Sequence, residues 1–181
     1  MGEKKVRDVM VPLDEYPVVE ENATLLEVVH ALDEGQKRLP SGKQPYRAVL
    51  VIDQQGKIVG KIGQHAFLAA LEPKYNLVGD LDRLHTSGLS PELVSLAMEH
   101  YRFFEESLPD LCQRRSAMKA GDAMHPLSES VEETASISDA IHKIVMWQHQ
   151  SLLVTRGDEV VGLIRLSDLY DEIALQMKSL G

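Results

Sequence analysis

Val6-Arg7-Asp8-Val9-Met10-Val11-Pro12, close to the start of the chain, returns as Gly121-Asp122-Ala123-Met124-His125-Pro126, so that Asp8, Met10 and Pro12 are answered in order by Asp122, Met124 and Pro126. Two further stretches follow each copy in the same order. Ala23-Thr24-Leu25-Leu26-Glu27-Val28-Val29-His30-Ala31-Leu32 is echoed by Ala135-Ser136-Ile137-Ser138-Asp139-Ala140-Ile141-His142-Lys143-Ile144, and Gly56-Lys57-Ile58-Val59-Gly60-Lys61-Ile62 by Asp158-Glu159-Val160-Val161-Gly162-Leu163-Ile164. Order is kept while spacing drifts, which is the signature of a duplicated unit that has gained or lost loop residues.

Within the first copy, Leu25, Val28, Val29 and Leu32 recur at helical spacing and predict an amphipathic helix over about residues 24–33. Residues 34–45, with Gly35, Pro40, Gly42 and Pro45, read as a surface loop. The β-branched run 48–52, the turn Asp53-Gln54-Gln55-Gly56 and the run 57–62 form a hairpin, and 64–71 a second helix. The second copy predicts a helix over 136–147, strands at 152–155 and 160–164, and a closing helix from Ser167 as N-cap to Lys178. Each unit is therefore β-α-β-β-α. Strands this apolar need cover on both faces, so neither unit is expected to stand alone.

The fold class is α+β: one repeat over residues 6–71, a helical insert or linker over 72–117, and a second repeat over 118–178. In the insert, Leu77, Leu81 and Leu84 suggest one helix. Ser90-Pro91 opens a stronger one, with Leu93, Leu96, Ala97, His100, Tyr101, Phe104 and Leu108 on one stripe. That stripe either packs on the repeats or forms a partner surface.

With 181 residues, 44% of them hydrophobic, the chain can bury a sizeable core, and its longest apolar runs fall far short of a membrane span. A single cysteine, Cys112, excludes an internal disulfide and points to a reducing, cytoplasmic setting. The 19 basic and 28 acidic residues give a net charge of −9, and the basic residues are dispersed, which argues against nucleic-acid binding. A small anion is still possible, because a few local cations and backbone N–H groups can hold one phosphate. Nothing suggests an enzyme: Glu132-Glu133 and Glu105-Glu106 fall on turns or helix faces where carboxylates are solvated, and no P-loop or Ser/His/Asp order is present. His30 and His142 recur at equivalent helix positions, but no further ligands at metal-binding spacing accompany them.

The ordered pieces around Asp8-Val9-Met10-Val11-Pro12, residues 49–60, Gly121 to Pro126 and Val160 to Asp168 resemble the CBS-domain family, in the tandem arrangement called a Bateman module. The resemblance implies two repeats packed about a pseudo-twofold axis, with clefts that in many members bind AMP, ADP or ATP. It also implies a regulatory role, frequent homodimerisation and no required cofactor. The family's nucleotide pattern is a glycine, two apolar residues, a hydroxyl residue, two free positions and an acid or amide. Here it reads Gly162-Leu163-Ile164-Arg165-Leu166-Ser167-Asp168, with Arg165 in place of the hydroxyl residue. Asp168 would take the ribose hydroxyls, Arg165 either a phosphate or the cleft itself, and Arg47 would meet the phosphate from the first repeat. Adenine would lie near Ser130 and Val131. The first repeat reads Gly60-Lys61-Ile62-Gly63-Gln64-His65-Ala66, where Gly63 and Ala66 replace both polar groups, so that cleft, faced by His149, is expected to be degenerate. The function implied is a regulatory module that binds an adenine nucleotide and signals to a protein partner yet to be identified. The alternative is a ligand-free scaffold that binds its partner through the insert.

Overall fold

The computed structural model describes residues 4–72, 90, 92, 95–96, 99–100, 107–127 and 129–180. The first half supplies β1 (Val11–Pro12), β2 (Val18–Glu20), α1 (Leu25–Arg38), β3 (Ala48–Ile52), β4 (Ile58–Gly63) and α2 (Gln64–Leu71). The second supplies α3 (Leu108–Arg115), α4 (Ala120–Ala123), β5 (His125–Pro126), β6 (Ser130–Glu132), α5 (Ile137–Trp147), β7 (Ser151–Arg156), β8 (Glu159–Arg165) and α6 (Leu166–Lys178). The β-α-β-β-α plan is thus met twice, as β2 to α2 and β6 to α6.

Local chemistry explains the helix starts. Thr24 and Ser136 each cap a helix by accepting the backbone N–H of Glu27 or Asp139, and each acid returns the bond to the cap residue's own N–H. Two expectations are corrected. Helix α1 runs on to Arg38, through residues read as loop, because Gly35 serves packing and not a turn: a Cβ there would sit 3.2 Å from the Pro17 side chain and 3.4 Å from the Tyr46 ring. Helix α6 is capped by Arg165, not Ser167, with the Asp168 carboxylate accepting the Arg165 N–H at 3.3 Å.

Two four-stranded sheets form, in the orders β2-β3-β4-β5 and β1-β8-β7-β6. Each therefore takes its end strand from the other repeat. β1 pairs antiparallel with β8, Pro12 opposite Gly162, and β5 pairs antiparallel with β4, Pro126 opposite Gly60. The exchange extends beyond the strands. Val6 is fully buried with Val131, Ile137, Leu152, Val154 and Ile164, and Ala120 is fully buried with Leu25, Val28, Val49 and Ile62. The N–H of Val6 donates to the Ala135 carbonyl at 3.0 Å, and that of Ala120 to the Ala23 carbonyl at 2.7 Å.

Glycine makes the exchange possible. A Cβ on Gly162 would run into the Val11 carbonyl oxygen, and one on Gly60 would lie 2.5 Å from Met124 Sδ and 2.8 Å from the His125 carbonyl oxygen. The repeated Met and Pro of the opening motif are thus the residues laid across the repeated Gly. Between the sheets, Leu50, Leu153, Leu163, Tyr16 and Tyr46 form the shared core.

Of the insert, Leu77, Leu81, Leu84, Leu93, Ala97, Tyr101 and Phe104 lie outside the described residues. Leu96, within a helical stretch, and Leu108 are largely exposed, whereas Leu111 on α3 is buried and Cys112 exposed. Among the described residues no helix is long and apolar enough to cross a membrane, and no group of His, Cys, Asp or Glu is placed to hold a metal ion.

Candidate functional site between the repeats

At the end of β8 the chain turns into α6, and Arg165 stands at the corner. Its Nε and Nη2 donate to both oxygens of Asp168, at 2.7 and 2.6 Å, a bidentate fork that suits guanidinium and carboxylate geometry. Its Nη1 reaches the other repeat, donating to the carbonyls of Gln44 at 3.2 Å and Pro45 at 3.3 Å. The guanidinium also lies 5.7 Å from the Tyr46 ring centre, and Tyr46 meets Tyr16 edge-on at 5.0 Å. Burial works to lower the Arg165 pKa, but the Asp168 carboxylate outweighs it and holds the pKa above the ordinary value. Burial pushes the Tyr16 hydroxyl up to about 12. One cation, one carboxylate and two rings thus tie the repeats together.

The other expected residues take varied places in the fold. Ser167 and Asp168 are half-buried in the first turn of α6; Gly162 is buried beneath β1; Arg47 is exposed just before β3. Val131 is buried in the second repeat's core, so only its backbone could face a ligand, and the Ser130 carbonyl accepts from Lys143 Nζ at 2.6 Å. A pocket of about 250 Å³ opens beside Asp168, lined also by Asp8, Lys43, Gln44, Asp171 and Glu172. Glu172 is held below the usual carboxylate range, first by a hydrogen bond from Lys4 and then by one from Gln176.

The opposite cleft is built differently. Strand register pairs Ala48 with Gly63 and Ser151 with Arg165, so Tyr46 corresponds to His149, and Arg47 to Gln150. Arg47 and His149, each expected to face a cleft, are therefore not equivalent positions of the two repeats. Gly63 caps α2 without a side-chain bond, Ala66 is buried, and His149 is half-buried beside Trp147. Lys61 occupies the place of Leu163 and donates to Ser151 Oγ at 2.7 Å. Burial lowers its pKa. The site reading of the sequence passed over Lys61, although the aligned repeats carry the signal: a lysine where the other copy has leucine.

A model of the CBS domain matches residues 6–73 and 120–175, together more than half of the chain. The chain is a CBS-domain protein. No curated protein sequence matches this CBS-pair protein significantly. Solved structures do. CBSX2 in complex with AMP is 19% identical with a TM-score of 0.58, over 96% of this chain and 98% of that one. A putative acetoin utilization protein (AcuB) from Vibrio cholerae is 18% identical with a TM-score of 0.60, covering 99% and 96%. The CBS domain of a bacterial CNNM/CorC family Mg2+ transporter in complex with ATP is 16% identical with a TM-score of 0.59, covering 94% and 87%. At these identities the likeness concerns the fold. It places the CBS-pair protein among tandem modules with both repeats present.

Proposed function

We propose that this CBS pair is a regulatory module that binds an adenine nucleotide at the Arg165–Asp168 cleft and signals to a protein partner by a change in repeat orientation. One observation carries the reading: Arg165 is at once the ion-pair partner of Asp168 and the donor to the first repeat's Gln44 and Pro45 carbonyls. A phosphate competes for the guanidinium, frees Asp168 to accept the two ribose hydroxyls, and cuts the bond to the first repeat. Ligand binding and repeat geometry are then one event, which is what a population shift requires. Arg47, exposed nearby, would meet the phosphate; the backbone of Ser130 and Val131 would lie beside adenine. CBSX2 in complex with AMP and the transporter CBS domain in complex with ATP support an adenine nucleotide as the class of ligand.

The acidic pocket beside Asp168 orders the ligands. Asp8, Asp171 and Glu172 face it with Lys43, so each added phosphate meets more repulsion, and affinity should fall from AMP to ADP to ATP. Calorimetric titration of the full chain tests this. Asp168→Ala should weaken AMP binding by about tenfold or more, the loss of a charged double hydrogen bond. No heat with any of the three nucleotides removes the nucleotide reading.

A ligand-free scaffold is the second reading, favoured by the fact that Arg165 and Asp168 satisfy each other with only 9% and 11% of their side chains exposed. A homodimer accords with either. Val145 and Met146 on α5 and Tyr170, Leu175 and Met177 on α6 are between 62% and 71% exposed, apolar surface that a second copy could cover. Light scattering of the purified chain checks it.

A further inference from the structure

The two repeats differ in how the first helix is led back to the sheet. In the second repeat residues 148–150 join α5 to β7, whereas in the first residues 39–47 lie between α1 and β3. The longer connection is fixed at its ends. Pro40 and Pro45 set their own φ and bias the residue before each to extended backbone. At the β3 end the Gln36 side chain clamps buried Tyr46, donating to its carbonyl and accepting its N–H at 3.2 Å. Between the prolines, the backbone bond among the described residues is a turn from the Lys43 N–H to the Pro40 carbonyl at 3.2 Å, with Gly42 at φ +83° inside it. A Cβ built on Gly42 meets nothing within 4 Å, so this tip stands clear of the body.

The loop meets the second repeat at the Arg165–Asp168 pair. The Gln44 side-chain amide donates to Asp171 Oδ2 at 2.8 Å on α6, and the Gln44 and Pro45 carbonyls accept from Arg165 Nη1. The cavity beside Asp168 is lined by Gly42, Lys43 and Gln44 of the loop and by Asp168, Asp171 and Glu172 of α6. At about 250 Å³ it falls below the roughly 300–1,000 Å³ of small-molecule pockets. Arg165 and Asp168 keep only 9% and 11% of their side chains exposed. The pair is thus enclosed, and its walls are unequal. Helix α6 is rooted in the core through Leu169, while the loop is held to it by one exposed side-chain bond and two carbonyls.

We propose that residues 40–45 are a lid over the Arg165–Asp168 cleft, latched shut by Gln44 on Asp171, and that opening of the lid admits the ligand. The inference rests on the nucleotide reading for the identity of the ligand, and the lid's motion can be tested without one. Lifting the loop withdraws the two carbonyls from Arg165 Nη1, so the donor is freed as Asp168 is uncovered. The latch is separable from the site, because the Gln44 and Asp171 side chains bond to each other and not to Arg165 or Asp168. A closed lid lowers apparent affinity by the fraction of molecules that stand open, so releasing the latch tightens binding.

Phenylglyoxal labelling of the full chain, read at each arginine by mass spectrometry, tests the lid with no ligand present. Arg165 should label several-fold faster in Gln44→Ala and in Asp171→Ala than in the wild type, the worth of one side-chain hydrogen bond, and the double variant no faster than either. Exposed Arg7 and Arg156 should keep their rates, and the urea midpoint should not move. Holding the lid shut gives the converse. With Gln44→Cys and Asp171→Cys joined by a short bis-methanethiosulfonate bridge in a Cys112→Ser background, Arg165 labelling should fall about tenfold or more and return on reduction. Calorimetry then adds AMP, which should bind about threefold tighter to Gln44→Ala and about tenfold or more weaker to the bridged chain than to the same chain reduced. Unchanged Arg165 labelling in both single variants, or a bridge that alters neither labelling nor AMP binding, overturns the lid. AMP binding to no variant, with labelling that follows the latch, removes the nucleotide reading and upholds the lid.

Discussion

The Arg165 guanidinium engages both carboxylate oxygens of Asp168, at 2.7 and 2.6 Å, inside a cleft where neither side chain is more than 11% exposed. Removing one member leaves the other buried and unpaired, which costs about 3–5 kcal/mol for such pairs. Arg165→Met and Asp168→Leu should therefore each lower stability by about 3 kcal/mol in urea unfolding, while the double variant should lose far less than their sum. Additive losses would mean that the pair is not energetically coupled.

Gly162→Ala should destabilise by about 1–3 kcal/mol, the ordinary cost of overpacking. Its obstacle is the Val11 carbonyl oxygen, which is backbone, so trimming Met10 to Ala should give no rescue. At Gly60 the nearest obstacle is Met124 Sδ, and Met124→Ala should recover part of the loss in Gly60→Ala. Thermal melts of the two single and two double variants decide it.

Lys61 should act in alkaline solution. Its folded pKa is depressed, so between that value and about 10.4 the unfolded chain binds more protons and stability rises with pH. Tyr16 has the opposite sign: raised to about 12, it keeps its proton when the unfolded chain has lost it, so stability falls above an unfolded value of about 10. Urea midpoints against pH should show the rise abolished in Lys61→Leu and the fall reduced in Tyr16→Phe. Lys61→Leu should also be more stable near neutrality by about 1 kcal/mol, since it exchanges a half-buried charge for an apolar group beside the shared core.

Glu172 sets an acid limit. Its pKa is lowered by Lys4, then by Gln176, so its stabilisation is present above the unfolded value of about 4.3 and is lost as pH falls through the depressed folded value. The midpoint of thermal unfolding should drop below about pH 4.3 in the wild type and drop less in Glu172→Gln. An identical acid slope in both would locate the titration elsewhere.

The fold was largely legible in the sequence because its local signals agree with its tertiary structure. The apolar runs became β3, β4, β7 and β8, and Thr24 and Ser136 start the helices their motifs announce. Gly35 misled because a glycine that admits the Pro17 side chain looks, in sequence, like a glycine that makes a turn. Ser167 misled for a related reason: a serine near a helix start reads as a cap, whereas Arg165 at the sheet's end holds that position with Asp168 as its acceptor. Around the cleft, Arg165 and Asp168 could be singled out from the family pattern. Their mutual pairing could not, since it depends on how far Gln44, Pro45 and Tyr46 approach across the interface.

By itself the sequence determined that the chain is a duplicated β-α-β-β-α unit, and that the two copies carry unequal chemistry at Gly63 and Arg165, Ala66 and Asp168. Periodicity and repetition are properties of order along the chain, so they survive without coordinates. Only the tertiary structure decided that β1 and β5 change places, so that Val6 belongs to the second core and Ala120 to the first. It alone placed Lys61 against Ser151. Those outcomes turn on which strand edge is free and on how close two backbones can come at Gly60 and Gly162, distances that no local pattern encodes.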